Sequence, residues 1–127
     1  MTEEDFRNYV AAFNGNDFDG FGHFYAEDVI FELGGSKRID GRENILAFYR
    51  QVKDHITEVV TPLDVVVTPT RIAMHCRTTF ETFKDWPDFE IWPTMAGDSR
   101  TVETIALYEV DPERDCFTHI RGARFKP

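Results

Sequence analysis

Residues 9–32, YVAAFNGNDFDGFGHFYAEDVIFE, change their backbone period twice, and the order of those changes decides the fold. The stretch opens inside a helix. Phe6, Tyr9, Val10 and Phe13 fall at i, i+3, i+4 and i+7, which is one helical face. Thr2 ahead of Glu3, Glu4 and Asp5 supplies an N-cap and an acidic first turn. Asn14-Gly15-Asn16 ends this helix, with Gly15 expected as its left-handed terminator. Asp17 then caps a short second helix whose buried stripe is Phe18, Phe21, Phe24 and Tyr25. Over residues 28–33 the pattern alternates, which predicts a strand, and Gly34-Gly35-Ser36 turns the chain.

Beyond that turn, Asp40-Gly41 leads into a third helix over roughly residues 42–54, with Ile45, Leu46, Phe48, Tyr49 and Val52 as its apolar positions. The remainder reads as strand. TEVVTPLDVVVTP (57–69) is β-branched and broken by Pro62, and RIAMHCRTTFETF (71–83) alternates. RTVETIALYEV (100–110) and CFTHIRGARF (116–125) follow, joined by a turn at residues 111–115. Lys84 to Ser99 is rich in Trp, Pro and Asp and predicts a long connection with a short extended piece at Phe89–Trp92. Helices first and strands afterwards give the α+β class. Three helices packed in a strongly curved antiparallel sheet would form a cone-shaped α+β barrel, and a cone can hold a ligand.

The 127 residues suit one domain with one core and a single small-molecule pocket. Apolar residues at 42% and charged residues at 29% describe a globular, soluble chain, and 12 Phe predict an aromatic core or an aromatic-lined cavity. A net charge of −9 argues against nucleic acid and anionic membrane as partners. The acidic start, MTEEDFRNYV, lacks the character of a signal peptide, and no apolar run reaches the length of a membrane span. Cys76 and Cys116 are the only cysteines, and reduced thiols in a cytoplasmic protein are the expectation. No CxxC or HExxH spacing occurs, so neither a metal site nor a cofactor is expected.

The quoted stretch closely resembles the opening of bacterial ketosteroid isomerases. Together with GRENILAFYRQV and the long strands, it resembles the nuclear-transport-factor-like superfamily, which includes SnoaL-like polyketide cyclases and scytalone-dehydratase-like proteins. In the isomerase pattern a Tyr on the first helix and a protonated Asp on a late strand hydrogen-bond a developing enolate, while an Asp ending the first strand moves the proton. The resemblance sets Tyr9 at the Tyr, Leu33 at the base and Ala106 at the second Asp. It therefore implies the fold and an oxyanion donor, but not the standard base.

Strand side chains alternate faces. Val29, Phe31 and Leu33 share one apolar face, expected to line the pocket, so Glu32 points away. In RIAMHCRTTFETF the inner, apolar set is Ile72, Met74, Cys76, Thr78 and Phe80; the resemblance places Val102, Thr104, Ala106 and Tyr108 inside on the next strand, and Thr118, Ile120, Gly122 and Arg124 are the inner set on the last. His75, Arg77, Glu81, Glu103, His119 and Arg121 fall outside with Ile105 and Leu107, a half-apolar, ion-paired face, and the resemblance implies a homodimer contact there. A bulge would turn His75, Glu103 or His119 inward and make it the general base.

The catalytic candidates are thus Tyr9 as oxyanion donor and His75, Glu103 or His119 as base. Tyr9 could equally be a core residue with a satisfied hydroxyl. Phe13, Phe48, Tyr49, Val52 and Trp92 join the inner strand residues as candidate substrate contacts. Thr78 and Thr104 could bond a ligand or serve strand propensity alone. Arg124 could neutralise an anionic substrate at the mouth or simply be solvated. Trp86 and Trp92 would form a lid or a dimer contact. The expected activity is cofactor-free isomerisation, dehydration, cyclisation or lyase chemistry on a hydrophobic carbonyl or hydroxyl compound. The alternatives are a non-catalytic small-ligand binder and an association domain that uses the outer face.

Overall fold

A computed structural model describes residues 1–126 of the chain. Its elements run α1 (Glu3–Asn14), α2 (Phe18–Gly22), β1 (Tyr25–Leu33), β2 (Lys37–Asp40), α3 (Arg42–Lys53), β3 (Ile56–Val67), β4 (Arg71–Thr82), β5 (Ser99–Asp111) and β6 (Cys116–Lys126). The strands form one curved sheet in the order β2-β1-β6-β5-β4-β3, which leaves β2 and β3 as open edges. The cone is therefore a bent, unclosed sheet with helices packed in its hollow. Its pairings are antiparallel except one: β1 lies parallel to β6, because the chain enters the sheet beside the strand on which it will leave.

Local chemistry explains the helices. Thr2 and Asp5 cap α1 reciprocally, each side chain accepting from the other's backbone N–H at 3.1 and 2.9 Å. The left-handed residue after α1 is Asn16 (φ 58°), not Gly15 (φ −84°), since Asn tolerates that conformation and the turn needs it one residue later. The α2 helix is shorter than its aromatic spacing implies. Tyr25 belongs to β1, because Phe117 N donates to Phe24 O and pulls the chain into the sheet there. Gly41, at φ 92°, swings the chain from β2 into α3 while its N–H donates to Val29 O.

The short strand β2 pairs with β1 in a hairpin around the Gly34-Gly35 turn, and single-strand periodicity gave no sign of it. The expected extended piece at Phe89–Trp92 is not a strand. A single antiparallel bridge, Trp86 to Thr94, folds that connection back on itself. Trp86 stacks on Phe89 at 3.8 Å and on His55 at 4.4 Å. Thr82, Thr94 and Asp98 tie the base of the loop together.

The core lies between α1, α2 and the inner sheet face. Phe6 and Phe117 are fully buried and pack with Tyr9 and Tyr108 in edge-on and tilted contacts. Two polar residues fasten the helices. Lys53, at the end of α3, donates to Phe13 O at 2.6 Å and to Asn16 Oδ1 at 2.7 Å, with its ammonium over the Phe13 ring. Asn14 ends α1 by bonding the edge of β3: its Nδ2 donates to Val60 O (2.9 Å) and its Oδ1 accepts from Val60 N (2.8 Å). Asn14→Ala leaves both Val60 groups without this partner. We expect it to cost about 1–3 kcal/mol, read from urea unfolding. A cost near zero would show that the clamp is not needed.

Candidate active site

The helices are too short to cover the whole inner face of the sheet, and the uncovered part is a cavity in two connected lobes. The outer lobe has a volume of about 570 Å³ and the inner one about 160 Å³. Leu33, Tyr49, Glu58, Phe80, Val102, Thr104 and Gly122 line both. The outer lobe is large enough for a small organic ligand.

The inner lobe ends on α1 and the middle of the sheet. Tyr9 and Phe13 come from α1, and Phe31 from β1. Cys76 and Thr78 come from β4, Ala106 and Tyr108 from β5, and Ile120 from β6. The outer lobe adds Phe48 and Val52 of α3 and Arg124 of β6. Phe89, Ile91 and Trp92 hang over it from the long connection.

His75, Glu103 and His119 do not reach the cavity. His75 lies between Asp64 and Glu103 at 3.2 and 3.3 Å on the outer face, and those two carboxylates hold its pKa above the usual imidazole value. Glu103 in turn is held below the usual carboxylate range, first by its bond to His75. His119 bonds Glu32 at 2.6 Å, with Glu109 on its other nitrogen at 3.4 Å. Register shifts do interrupt the sheet, at Leu63, Thr118 and Phe125 and within β1 between Tyr25 and Ile30. None falls where it would reverse these three side chains. The bulge at Thr118 instead turns Phe117 inward, and the Thr118 hydroxyl bonds Glu109 O rather than lining the cavity.

Glu58 is the carboxylate that sequence reasoning missed, and among the described residues no other acid lines either lobe. It sits on β3 opposite Phe80 of β4, and directly opposed residues share a face, so the inward Phe80 carries Glu58 inward with it. The signal was present, because the parity of β4 was readable. What was not readable was the register of the ladder between β3 and β4. Burial pushes the Glu58 pKa up to about 7, against the lowering pull of the Lys53 ammonium. Burial depresses the Lys53 pKa in turn.

Three buried tyrosines, Tyr9, Tyr49 and Tyr108, line the inner lobe. Tyr9 and Tyr25 share a hydroxyl–hydroxyl hydrogen bond of 2.8 Å. Burial holds the phenols of Tyr9, Tyr25, Tyr49 and Tyr108 well above their ordinary pKa, so each is a neutral O–H. Cys76 is also pushed up by burial and stays a thiol. Among the described residues no three of His, Cys, Asp and Glu converge as a metal set would, and no helix is long and apolar enough to cross a membrane.

A family model described as a SnoaL-like domain matches residues 6–115. Several solved structures share the fold. A candidate polyketide cyclase from Xanthomonas campestris pv. campestris is 24% identical, with a TM-score of 0.77, over 94% of this chain and 86% of its own. Another from Pseudomonas putida KT2440 is 23% identical, with a TM-score of 0.79, over 97% and 91%. An LEH-like epoxide hydrolase from M. tuberculosis is 14% identical, with a TM-score of 0.76, over 95% and 80%. At these identities the likeness is one of fold. No curated protein matches the chain.

The raised Glu58 pKa has a thermodynamic consequence. The unfolded carboxyl ionises near its ordinary value, while the folded one keeps its proton to about pH 7. Stability associated with Glu58 is therefore present at low pH and is lost as pH rises through that window. Glu58→Gln removes the loss. At pH 8 it should be more stable than the parent by about 1–3 kcal/mol, and the difference should vanish near pH 4. Chemical denaturation at the two pH values checks the sign.

Proposed function

The chain belongs to the family of SnoaL-like domains, and on that footing we propose that it is a cofactor-free enzyme. Its substrate would be a hydrophobic carbonyl or hydroxyl compound, transformed by proton transfer in an isomerase, dehydratase, cyclase or lyase step. The observation that carries this reading is Glu58: one carboxyl, set in the wall shared by the two lobes, with a pKa near working pH.

As a carboxylate, Glu58 removes a proton from a carbon beside the substrate carbonyl. The electron pair of that C–H bond moves onto the carbonyl oxygen. The Tyr9 hydroxyl, supported by Tyr25, hydrogen-bonds the oxygen as its charge grows. Glu58, now protonated, returns the proton either to a second carbon, which completes an isomerisation, or to a departing hydroxyl, which completes a dehydration. The apolar lining from Phe13, Phe31, Phe80 and Val102 keeps water from competing for either proton.

The test does not require the natural substrate. Exchange of α-hydrogens of a cyclic aryl ketone in deuterated buffer, followed by NMR, reads the Glu58 step alone. Glu58→Gln should slow catalysed exchange about 10²–10⁴-fold. Tyr9→Phe should slow it by about 10²–10³-fold. The rate should rise with pH through an apparent pKa near 7. His75→Ala and His119→Ala should leave it unchanged. Exchange by the Gln variant at the parent rate would remove Glu58 from the mechanism.

A further inference from the structure

We propose that the substrate carries a carboxylate, and that Arg100 and Arg124 bind it together at the cavity mouth while its apolar body fills the lobes beneath. Both side chains line the outer lobe, one from the start of β5 and one from the end of β6. Their state is unusual for this molecule. Seven of the ten arginines lie within ion-pair distance of a carboxylate, and Arg50, the third without one among the described residues, lies over the Phe18 ring and outside the cavity lining. In a chain of net charge −9, partners are plentiful. Yet among the described residues no carboxylate lies within that distance of Arg100 or Arg124, and the two face one volume. Nothing in the fold requires two like charges there, and a bound anion would satisfy both.

Arg100 is also held in place. It is half-buried, and its guanidinium lies over the Trp92 ring at 5.1 Å, so the mouth loop orients it. Burial and the neighbouring Arg124 charge both press its pKa downward, which is the signature of a cation without a counterion. Arg124 is exposed, on a long side chain that can reach a ligand's second oxygen. Two guanidiniums suit the two oxygens of one carboxylate.

The register places this site relative to the chemistry. Glu58 opposes Phe80, and Phe80 opposes Arg100, so the three cross the sheet on one level. Adjacent antiparallel strands are about 5 Å apart, which sets Arg100 roughly 10 Å from Glu58 along the sheet, less any curvature. That is the length of a small ligand. A carboxylate at the arginines would leave a carbon a few atoms away in front of Glu58, with the rest of the molecule pointing toward Tyr9. The substrate class is then an amphipathic carbonyl or hydroxyl acid with an aromatic or similarly bulky apolar body. The inference rests on the preceding reading only for the position of the reacting carbon.

Calorimetric titration with the naphthoate anion and with neutral naphthamide tests it, since the two differ in little but charge. The parent protein should bind naphthoate about tenfold or more tightly than naphthamide at low salt, and the preference should shrink as salt is added. In the Arg100→Gln/Arg124→Gln double variant the preference should fall to about one, with naphthamide affinity and the circular dichroism spectrum unchanged. In Glu58→Gln the preference should persist. Equal affinities in the parent, no naphthoate binding at millimolar concentration, or a preference that survives in the double variant would each overturn the proposal. Because these titrations read binding alone, their failure is distinct from a failure of the exchange measurement, which tests Glu58.

Discussion

The paired hydrogen bonds between the Asn14 side chain and the backbone of Val60 join the last residue of α1 to an open edge of the sheet. An edge strand otherwise offers its N–H and C=O groups to solvent or to another chain. Here one amide imitates a neighbouring strand for a single residue pair, and that is enough to hold β3 against the helices. Seven residues before Val60, Lys53 anchors α3 to the same end of α1 through Phe13 O and Asn16 Oδ1. Between these two attachments the chain has no freedom to swing outward. Glu58 lies in that interval, two residues from Val60, and so is held facing the cavity even though a carboxylate loses hydration there.

Charge is distributed by the same logic. The outer face of the sheet carries a dense set of ion pairs, with Glu103 shared by His75 and Arg77, and Glu109 shared by Arg71, His119 and Arg121. Exposed pairs of this kind contribute little stability each, but they occupy both histidines and remove them from chemistry. The inner face is nearly empty of charge. One acid sits deep and two bases sit at the rim, separated by the Phe80 ring and attached to neighbouring strands. A sheet face with so few charged groups gives each one an effect undiluted by neighbours, in surroundings of low polarity.

Much of this was legible along the chain. The helical faces of Phe6–Phe13 and Ile45–Val52 carried their burial in their spacing, and the alternation in β4 and β5 named the residues that line the cavity. Glu32 was likewise readable as outward, since Phe31 and Leu33 fix the parity of β1, and it is indeed spent on His119. The misreadings share one cause. Thr118, Tyr25 and the missing β2 hairpin all depend on which strands meet and where a ladder slips, and those are properties of pairs of segments. The strand TEVVTPLDVVV alternates acid, valine and proline on one side with threonine, valine and leucine on the other, so its own pattern could not say which side was inner.

The sequence by itself determined the α+β class, the helical faces and the aromatic core, because each follows from periodicity within one segment or from composition. Only the tertiary structure decided that Glu58 faces the cavity, that no bulge turns His75, Glu103 or His119 inward, and that Arg100 joins Arg124 at the mouth. The physical reason is register. A strand's side is settled by the hydrogen-bonded neighbour it is laid against, and that neighbour is chosen by closure of the whole sheet around α1 rather than by anything local to the strand.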